Sequence, residues 1–233
     1  MKNSSLGIIP ARGGSKSIPR KNARLLAGKP LIAWTIECAL RSKRLNQVIV
    51  STDDEEIAGI GRKWGARVPF IRPFELAQDD TPTLPVIQHA VSWLESTEGY
   101  IPEIVILLQP TSPLRRTEHI DQAVELLLQA GADSVASVCL SEYSPYWMKR
   151  IEGNRMLAFL SDAPEYTRRQ DLPPVYRLNG AVYVTRYEVL MRQKRILGED
   201  TRAIVMDAES SIDIDSRLDF KIAELLLAER TDG

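Results

Sequence analysis

Two groups of residues in this 233-residue chain have types and spacings suited to phosphate chemistry, one to holding the anion and one to holding a metal. The first is Ala11-Arg12-Gly13-Gly14-Ser15-Lys16-Ser17-Ile18-Pro19-Arg20-Lys21-Asn22, which follows the short apolar run Leu6 to Ile9. Adjacent glycines let backbone N–H groups approach a ligand that a Cβ would hold off, and Arg12, Lys16, Arg20 and Lys21 supply positive charge. The loop has neither the Gly-Lys-Ser/Thr triplet of the Walker pattern nor the three spaced glycines of the dinucleotide pattern. A plain solvated basic loop is the competing reading, since isolated charge clusters usually lie on the surface. The second group is Ser211-Ile212-Asp213-Ile214-Asp215. In an extended chain, residues two apart face the same way, so Asp213 and Asp215 present paired carboxylates while Ile212 and Ile214 face the core. Such a pair suits Mg²⁺, which prefers carboxylate oxygen and keeps waters and substrate phosphate in its shell. The same acids would also serve as a cap for the following helix. Taken together, the two groups suit a nucleoside triphosphate with Mg²⁺: cations and amides on the phosphates, and a metal offsetting charge on the reacting phosphoryl group.

The elements that must position these groups read as alternating strands and helices. The strand ending at Ile9 leads into the basic loop, and Gly28-Lys29-Pro30 marks a helix from Pro30 to Arg41 with proline at its first position. Strands are expected at Gln47 to Ser51, Arg67 to Ile71, Glu103 to Leu108, Asp133 to Cys139, Val182 to Thr185 and Ala203 to Met206. Helices are expected at Asp53 to Trp64, where early acids suit the helix dipole, at Thr83 to Glu95, at Glu118 to Gln129 and at Arg217 to Ala228. This alternation predicts an α/β fold with a mostly parallel, doubly wound sheet covered on both faces. Ligands of such sheets bind beyond the carboxyl ends of the strands. The basic loop, Ser51-Thr52-Asp53 and Gln109-Pro110-Thr111-Ser112-Pro113 all follow strands and should gather there as one cleft. The rhythm breaks from about Leu140 to Gly180, which holds Tyr143, Tyr146, Trp147, Tyr166 and Tyr176 among several prolines and arginines. Aromatics concentrated in one excursion point to a protein interface or to a lid over the site. The chain therefore reads as one domain over 1–233 with an insertion over 140–180.

Composition removes several classes of function. With 30 basic and 31 acidic side chains the net charge is −1, so no overall field draws nucleic acid or an anionic membrane. Cys38 and Cys139 fall in apolar patterns and read as buried free thiols. Pro10 and Arg12 interrupt the early apolar run, which argues against a signal peptide, and no stretch has the ~20 apolar residues of a membrane helix. A cytoplasmic setting fits these features. His89 and His119 are the only histidines, which excludes a histidine-rich metal centre, and there is no Gly-x-Ser-x-Gly elbow for a serine hydrolase.

Beyond these derivations, the stretches ARGGSKSIPRKN, LLAGKPLIAWTI, VIVSTDDEEIA, LLQPTSPLR, RRQDLPPVYRLNGAVYV and SIDID, in this order over almost the whole chain, resemble the acylneuraminate cytidylyltransferases, the CMP-sialic acid synthetases. The resemblance implies a GT-A-like nucleotidyltransferase fold, a homodimer whose insertion reaches the neighbour's sugar site, and Mg²⁺-dependent reaction of CTP with a nonulosonic acid. It further implies that Arg12, Gly13, Gly14, Lys16 and Lys21 bind the triphosphate, Asn22 the ribose or base, and Arg72 and Thr81 the cytidine. Gln109, Arg168, Arg169, Gln170, Tyr176 and Asn179 would lie at the sugar, with Asp213 and Asp215 on the metal. Arg12, Lys21, Asp213 and Asp215 would carry catalysis. Ser17 departs from the family, where many members have glycine. Asn179-Gly180-Ala181 resembles the sialate and legionaminate enzymes more than the pseudaminate ones, and the Arg-Arg-Gln run fits a Kdo-type enzyme less well. A metal-dependent glycosyltransferase or a non-catalytic nucleotide-binding regulator are the readings from other classes.

Overall fold

The computed structural model describes residues 4–160, 164 and 168–231, so Tyr166 of the aromatic excursion lies outside the described residues. Its central sheet has six strands: β1 (Ser5–Pro10), β4 (Gln47–Ser51), β5 (Ile104–Leu107), β6 (Ser134–Leu140), β9 (Tyr176–Arg186) and β10 (Thr201–Met206), in the order β10-β6-β9-β5-β1-β4. Two small ribbons complete the strands, β2 (Leu25–Leu26) with β3 (Lys29–Pro30), and β7 (Lys149–Glu152) with β8 (Arg155–Ala158). The helices are α1 (Leu31–Leu40), α2 (Glu55–Lys63), α3 (Thr83–Glu98), α4 (Thr117–Ala130), α5 (Tyr187–Met191) and α6 (Arg217–Thr231).

β1 pairs in parallel with β4 and β5, and β10 in parallel with β6, but β9 runs antiparallel to both β5 and β6. The reversal has a physical cause. A parallel return needs a crossover that carries the chain to the other end of the sheet, usually a helix. Between β6 and β9 the described chain has only the β7–β8 ribbon and short 3₁₀ turns, so it re-enters at the edge it left and must run back.

Alternation along the strands sends side chains to two cores. Ile9, Val48, Val50, Ile106 and Val184 join residues of α1, α2 and α4 on one face. Leu6, Ile8, Ile49, Val105 and Leu107 join residues of α3 and α5 on the other. This is the doubly wound packing expected of the alternating pattern. A third, smaller core lies under α6 and unites Ile18 of the basic loop, Leu26, Leu31, Leu114, Ile214 and Phe220. Cys38 and Cys139 are buried and free, as their apolar settings predicted.

Several local expectations are corrected. Pro30 is not the first helical residue: it ends β3 and stands just before α1, with its ψ of 139° extended rather than helical. No strand forms over 67–71. Only isolated bridges join Ile49 to Arg67 and Thr52 to Ile71, because Pro69 interrupts that stretch with a residue that has no N–H to donate. Asp53 stays outside α2, whose cap is Asp54, accepting a hydrogen bond from the Ile57 amide at 3.0 Å. The strand expected from Val182 starts earlier, at Tyr176, so the sheet takes the chain back before Gly180. Among the described residues no helix is long and apolar enough to cross a membrane.

The basic loop is tied to β4 and α2. The Ala11 amide donates to the Ser51 carbonyl at 2.9 Å, and the Gly13 amide to the Asp53 carboxylate at 3.1 Å. A Cβ on Gly13 would stand 2.6 Å from Asp54 Oδ2 and 2.9 Å from Asp54 Cβ. Asp54 has little room to retreat, since it caps α2 and pairs with Arg20 at 2.6 Å. Gly14 has nothing within 4 Å of its Cβ position. Gly13→Ala should therefore lower stability by about 1–3 kcal/mol, the usual range for overpacking, while Gly14→Ala should leave the melting temperature unchanged. Equal melting temperatures for the two variants in a thermal scan would refute this reading of the loop.

His119 gives a second test. It lies in the first turn of α4, buried, where its Nδ1 accepts a hydrogen bond from the Arg116 amide at 3.2 Å. Burial first, and then the Arg116 charge, push its pKa down from 6.5 to about 4. Between those pH values the unfolded chain binds more protons than the folded one, so stability falls as pH drops through that window. Denaturant titrations should show a shallower loss for His119→Asn than for the parent from pH 6.5 to about 4. Identical slopes would mean that the ring charges freely in the folded state.

Candidate active site

The parallel register sets Pro10 beside Ser51 and Ile8 beside Leu107, which brings the carboxyl ends of β4, β1 and β5 to one edge. Beyond it opens a cleft of about 390 Å³ lined by Arg12, Gly14, Lys16, Lys21, Asn22, Arg72, Thr81, Gln109 and Asp215, among others. Of the three post-strand segments expected there, the basic loop and Gln109-Pro110-Thr111 line the cleft, whereas Ser51 and Thr52 are buried and Asp53 acts from behind the lining, on Arg72 and the Gly13 amide. The cleft also draws in residues that sequence reasoning missed, chiefly Ser15, Gln78 and Asp79.

At one wall, Arg12 Nη1 lies 2.8 Å from Asp79 Oδ1, and Lys16 Nζ lies 2.6 Å from Asp79 Oδ2. Arg12 also donates to the Gln78 carbonyl at 3.1 Å. Lys16, chiefly, and then Arg12 hold the Asp79 carboxyl below the ordinary carboxylate range. No motif in the sequence flagged Asp79.

Across the cleft the two sequence groups meet. Lys21, with its side chain only 12% exposed, donates from Nζ to the Ile214 carbonyl at 2.7 Å and lies 3.6 Å from Asp215 Oδ1. The Ile214 amide donates to the Thr111 carbonyl at 2.8 Å, and the Ile214 side chain is fully buried in the third core. Burial of such a side chain contributes roughly 1.5–3 kcal/mol. The acids flank this anchor unequally. Asp215 is exposed, whereas Asp213 is half-buried, and its Oδ1 is buried with no hydrogen-bond partner. Burial pushes the Asp213 carboxyl above the ordinary range, a hydrogen bond with Thr111 opposes this, and the Asp215 charge adds to the rise.

On the far wall Arg72 is buried, and its guanidinium pairs with Asp53 at 3.3 Å. Burial lowers its pKa and Asp53 opposes that shift, so the pair presents a desolvated donor plane. Thr81 is held in a turn by its amide, which donates to the Gln78 carbonyl at 3.2 Å. Asn22 is buried and braces the basic loop by donating from Nδ2 to the Arg12 carbonyl at 3.0 Å.

Gln109 follows β5 and packs against Gly180, where φ is +74° and a Cβ would meet Gln109 Oε1 at 3.0 Å. Beneath it lies Arg115, another residue that sequence reasoning did not single out. Although 4% exposed, it donates to the carbonyls of Gln109 at 3.1 Å and Ala181 at 2.7 Å, and to Thr35 Oγ1 at 2.7 Å. Asn179 is also buried. Its Oδ1 accepts from Ser137 Oγ at 2.5 Å and its Nδ2 donates to Ser211 Oγ at 2.9 Å, so its side chain supports the floor rather than lining the cleft.

The excursion residues stand apart from this cleft within one chain. Arg168 pairs with Asp171 at 2.8 Å, and Gln170 is exposed. Tyr176 is exposed at the start of β9. Arg169 instead lines a second cavity of about 590 Å³, together with Tyr143, Trp147, Met148 and Pro173. Large apolar side chains are also exposed on the β7–β8 ribbon, which follows Met148 in the chain, including Ile151 at 73% and Met156 at 71%.

Comparisons with known proteins identify the family and the fold. A family model described as cytidylyltransferase matches residues 6–229. The chain is 37% identical over 226 residues to the CMP-N,N'-diacetyllegionaminic acid synthase of Legionella pneumophila, covering 95% of each chain. It is 37% identical over 225 residues to the N-acylneuraminate cytidylyltransferase of Escherichia coli, covering 96% of this chain and 52% of that one, about half its length. Among solved structures, CMP:2-keto-3-deoxy-manno-octonic acid synthetase complexed with CTP superposes with a TM-score of 0.74 at 18% identity, covering 98% of this chain and 100% of that one, a likeness of fold. With a family match over residues 6–229 and a relative 37% identical over 95% of each chain, this chain belongs to the cytidylyltransferase family.

Proposed function

We propose that the protein transfers CMP from CTP to the anomeric hydroxyl of a nonulosonic acid of the N-acetylneuraminate or legionaminate type, releasing pyrophosphate. The observation that carries this reading is the meeting of Lys21 with Ile214 and Asp215, which sets the basic loop against one carboxylate of the Asp-x-Asp stretch. Arg12 and Lys16 take the leaving phosphates, and Gly14, with open space where its Cβ would be, lets them approach the backbone. Lys21 offsets charge on the α-phosphate. Arg72 and Thr81 read the cytosine, with Asn22 at the ribose or base. Gln109 meets the sugar over a floor held by Arg115 and Asn179. The sugar hydroxyl oxygen bonds to the α-phosphorus as the bond to pyrophosphate breaks, and one of the two carboxylates takes the hydroxyl proton. Alignment and fixed charge supply the acceleration, as in other phosphoryl transfers.

The donor set fits Mg²⁺. Asp213 has a buried oxygen without a hydrogen-bond partner, and the mutual repulsion with Asp215 would be relieved by a cation. Mg²⁺ commonly takes one or two protein carboxylates and completes its shell with phosphate and water. Asp213 and Asp215 would hold it, and it would supply Lewis-acid stabilisation of phosphoryl charge.

The excursion suits a homodimer in which Arg169 serves the neighbour's sugar, its planar fork matching a carboxylate. The absence of Arg169 from the nucleotide cleft's lining and the exposed Ile151 and Met156 elsewhere in the same excursion support this reading.

Pyrophosphate release from CTP, Mg²⁺ and a panel of nonulosonic acids should require both CTP and one sugar, with the CMP-sugar identified by mass. Asp215→Asn should lower kcat by about 10²–10³. Release without any sugar, or an unimpaired Asp215→Asn, would refute the assignment. Sedimentation should show a dimer. Ile151→Glu should shift it toward monomer, and both that variant and Arg169→Ala should raise KM for the sugar but not for CTP. A rise confined to CTP would place Arg169 at the nucleotide instead.

A further inference from the structure

Asp79 holds an unusual place. Its two carboxylate oxygens are divided between the two cations of the basic loop, Oδ1 at 2.8 Å from Arg12 and Oδ2 at 2.6 Å from Lys16. A phosphate group seated there would present two oxygens in the same way, so the carboxylate and a polyphosphate compete for the same donors. Asp79 sits within the cleft lining with its side chain 44% exposed, within reach of an incoming anion. Lys16 and Arg12 keep its carboxyl below the usual range, so it is charged at neutral pH.

The turn that carries Asp79 is closed by other groups. Gln78 Nε2 donates to the Phe74 carbonyl at 2.7 Å, the Thr81 amide to the Gln78 carbonyl at 3.2 Å, and Thr81 Oγ1 to the Glu75 carbonyl at 3.4 Å. The carboxylate is thus spent on the loop cations rather than on its own turn. We infer that Asp79 is an internal competitor for the polyphosphate subsite, which the triphosphate displaces on binding and which reclaims Arg12 and Lys16 as pyrophosphate leaves. No covalent step is involved. The inference rests on the reading of Arg12 and Lys16 as phosphate ligands. It predicts that removing the carboxylate tightens binding, whereas a residue that merely holds the two cations in place would weaken binding when removed.

The test is calorimetry on the full chain with Mg²⁺, using inorganic pyrophosphate, CTP and cytidine as ligands. Asp79→Asn and Asp79→Ala should bind pyrophosphate and CTP about two- to tenfold more tightly than the parent, the range expected for two partly exposed ion pairs, with cytidine unchanged. In turnover, KM for CTP should fall and inhibition by pyrophosphate should strengthen. Asp80→Asn removes the same formal charge one residue away and should give a smaller effect. Unchanged or weaker pyrophosphate binding in both Asp79 variants, or equal tightening by Asp80→Asn, would overturn the inference. A parent that binds CTP, with variants that bind it no better, sinks Asp79 and leaves the nucleotide reading standing. A parent that ignores CTP, with Asp79 variants that gain pyrophosphate affinity, does the reverse.

Discussion

The site depends on the anchoring of Ile214. Its side chain is fully buried beside Ile18 and Phe220, its amide is bound to Thr111, and its carbonyl receives Lys21. One residue therefore fixes three parts of the cleft that are remote in sequence: the basic loop, the turn after β5 and the acidic pair. Asp213 and Asp215 flank it, and burying Ile214 leaves Asp215 exposed at the cleft while Asp213 turns one oxygen into the protein. Lys21 gains from the same anchor, since a lysine only 12% exposed needs fixed acceptors to offset its lost hydration.

The remaining geometry follows from the parallel strands. The register of β1 with β4 and β5 brings three loops to one edge, and the two large cores hold that register against slippage by giving each strand face its own apolar partners. Arg115 extends this order inward. As a buried cation hydrogen-bonded to two carbonyls and a hydroxyl, it ties the Gln109 turn to β9, so the antiparallel strand becomes part of the site rather than only a filler of the sheet.

Charge in the cleft is arranged in opposed pairs: Arg12 and Lys16 with Asp79, Lys21 with Asp215, Arg72 with Asp53. Such pairing keeps a cluster of like charges from repelling itself while leaving it responsive to a polyanion, whose several charged oxygens outcompete a single carboxylate for the same donors. A net charge of −1 for the whole chain is compatible with this locally cationic pocket, because the contest is decided at hydrogen-bond distance.

Much of this was legible in the sequence, for identifiable reasons. Alternating strand and helix patterns determine an α/β sheet, since periods of 2 and 3.6 are properties of the backbone and appear wherever one face is buried. The basic loop and the Asp-x-Asp pair announced phosphate chemistry through residue type and spacing, and Arg12, Lys16, Lys21 and Asp215 do line one cleft. Tertiary structure decided what depends on contacts between distant segments. The direction of β9 was set by how the excursion returns, the absence of a strand at 67–71 by Pro69 within that stretch, and the need for glycine at position 13 by Asp54. Asp79 and Arg115 carry no local pattern: an acid in a turn and an arginine before a helix are ordinary in sequence. They acquire roles only when folding brings Asp79 to two cations and encloses Arg115 among carbonyls, because pairing and desolvation are properties of neighbours that the chain order does not contain.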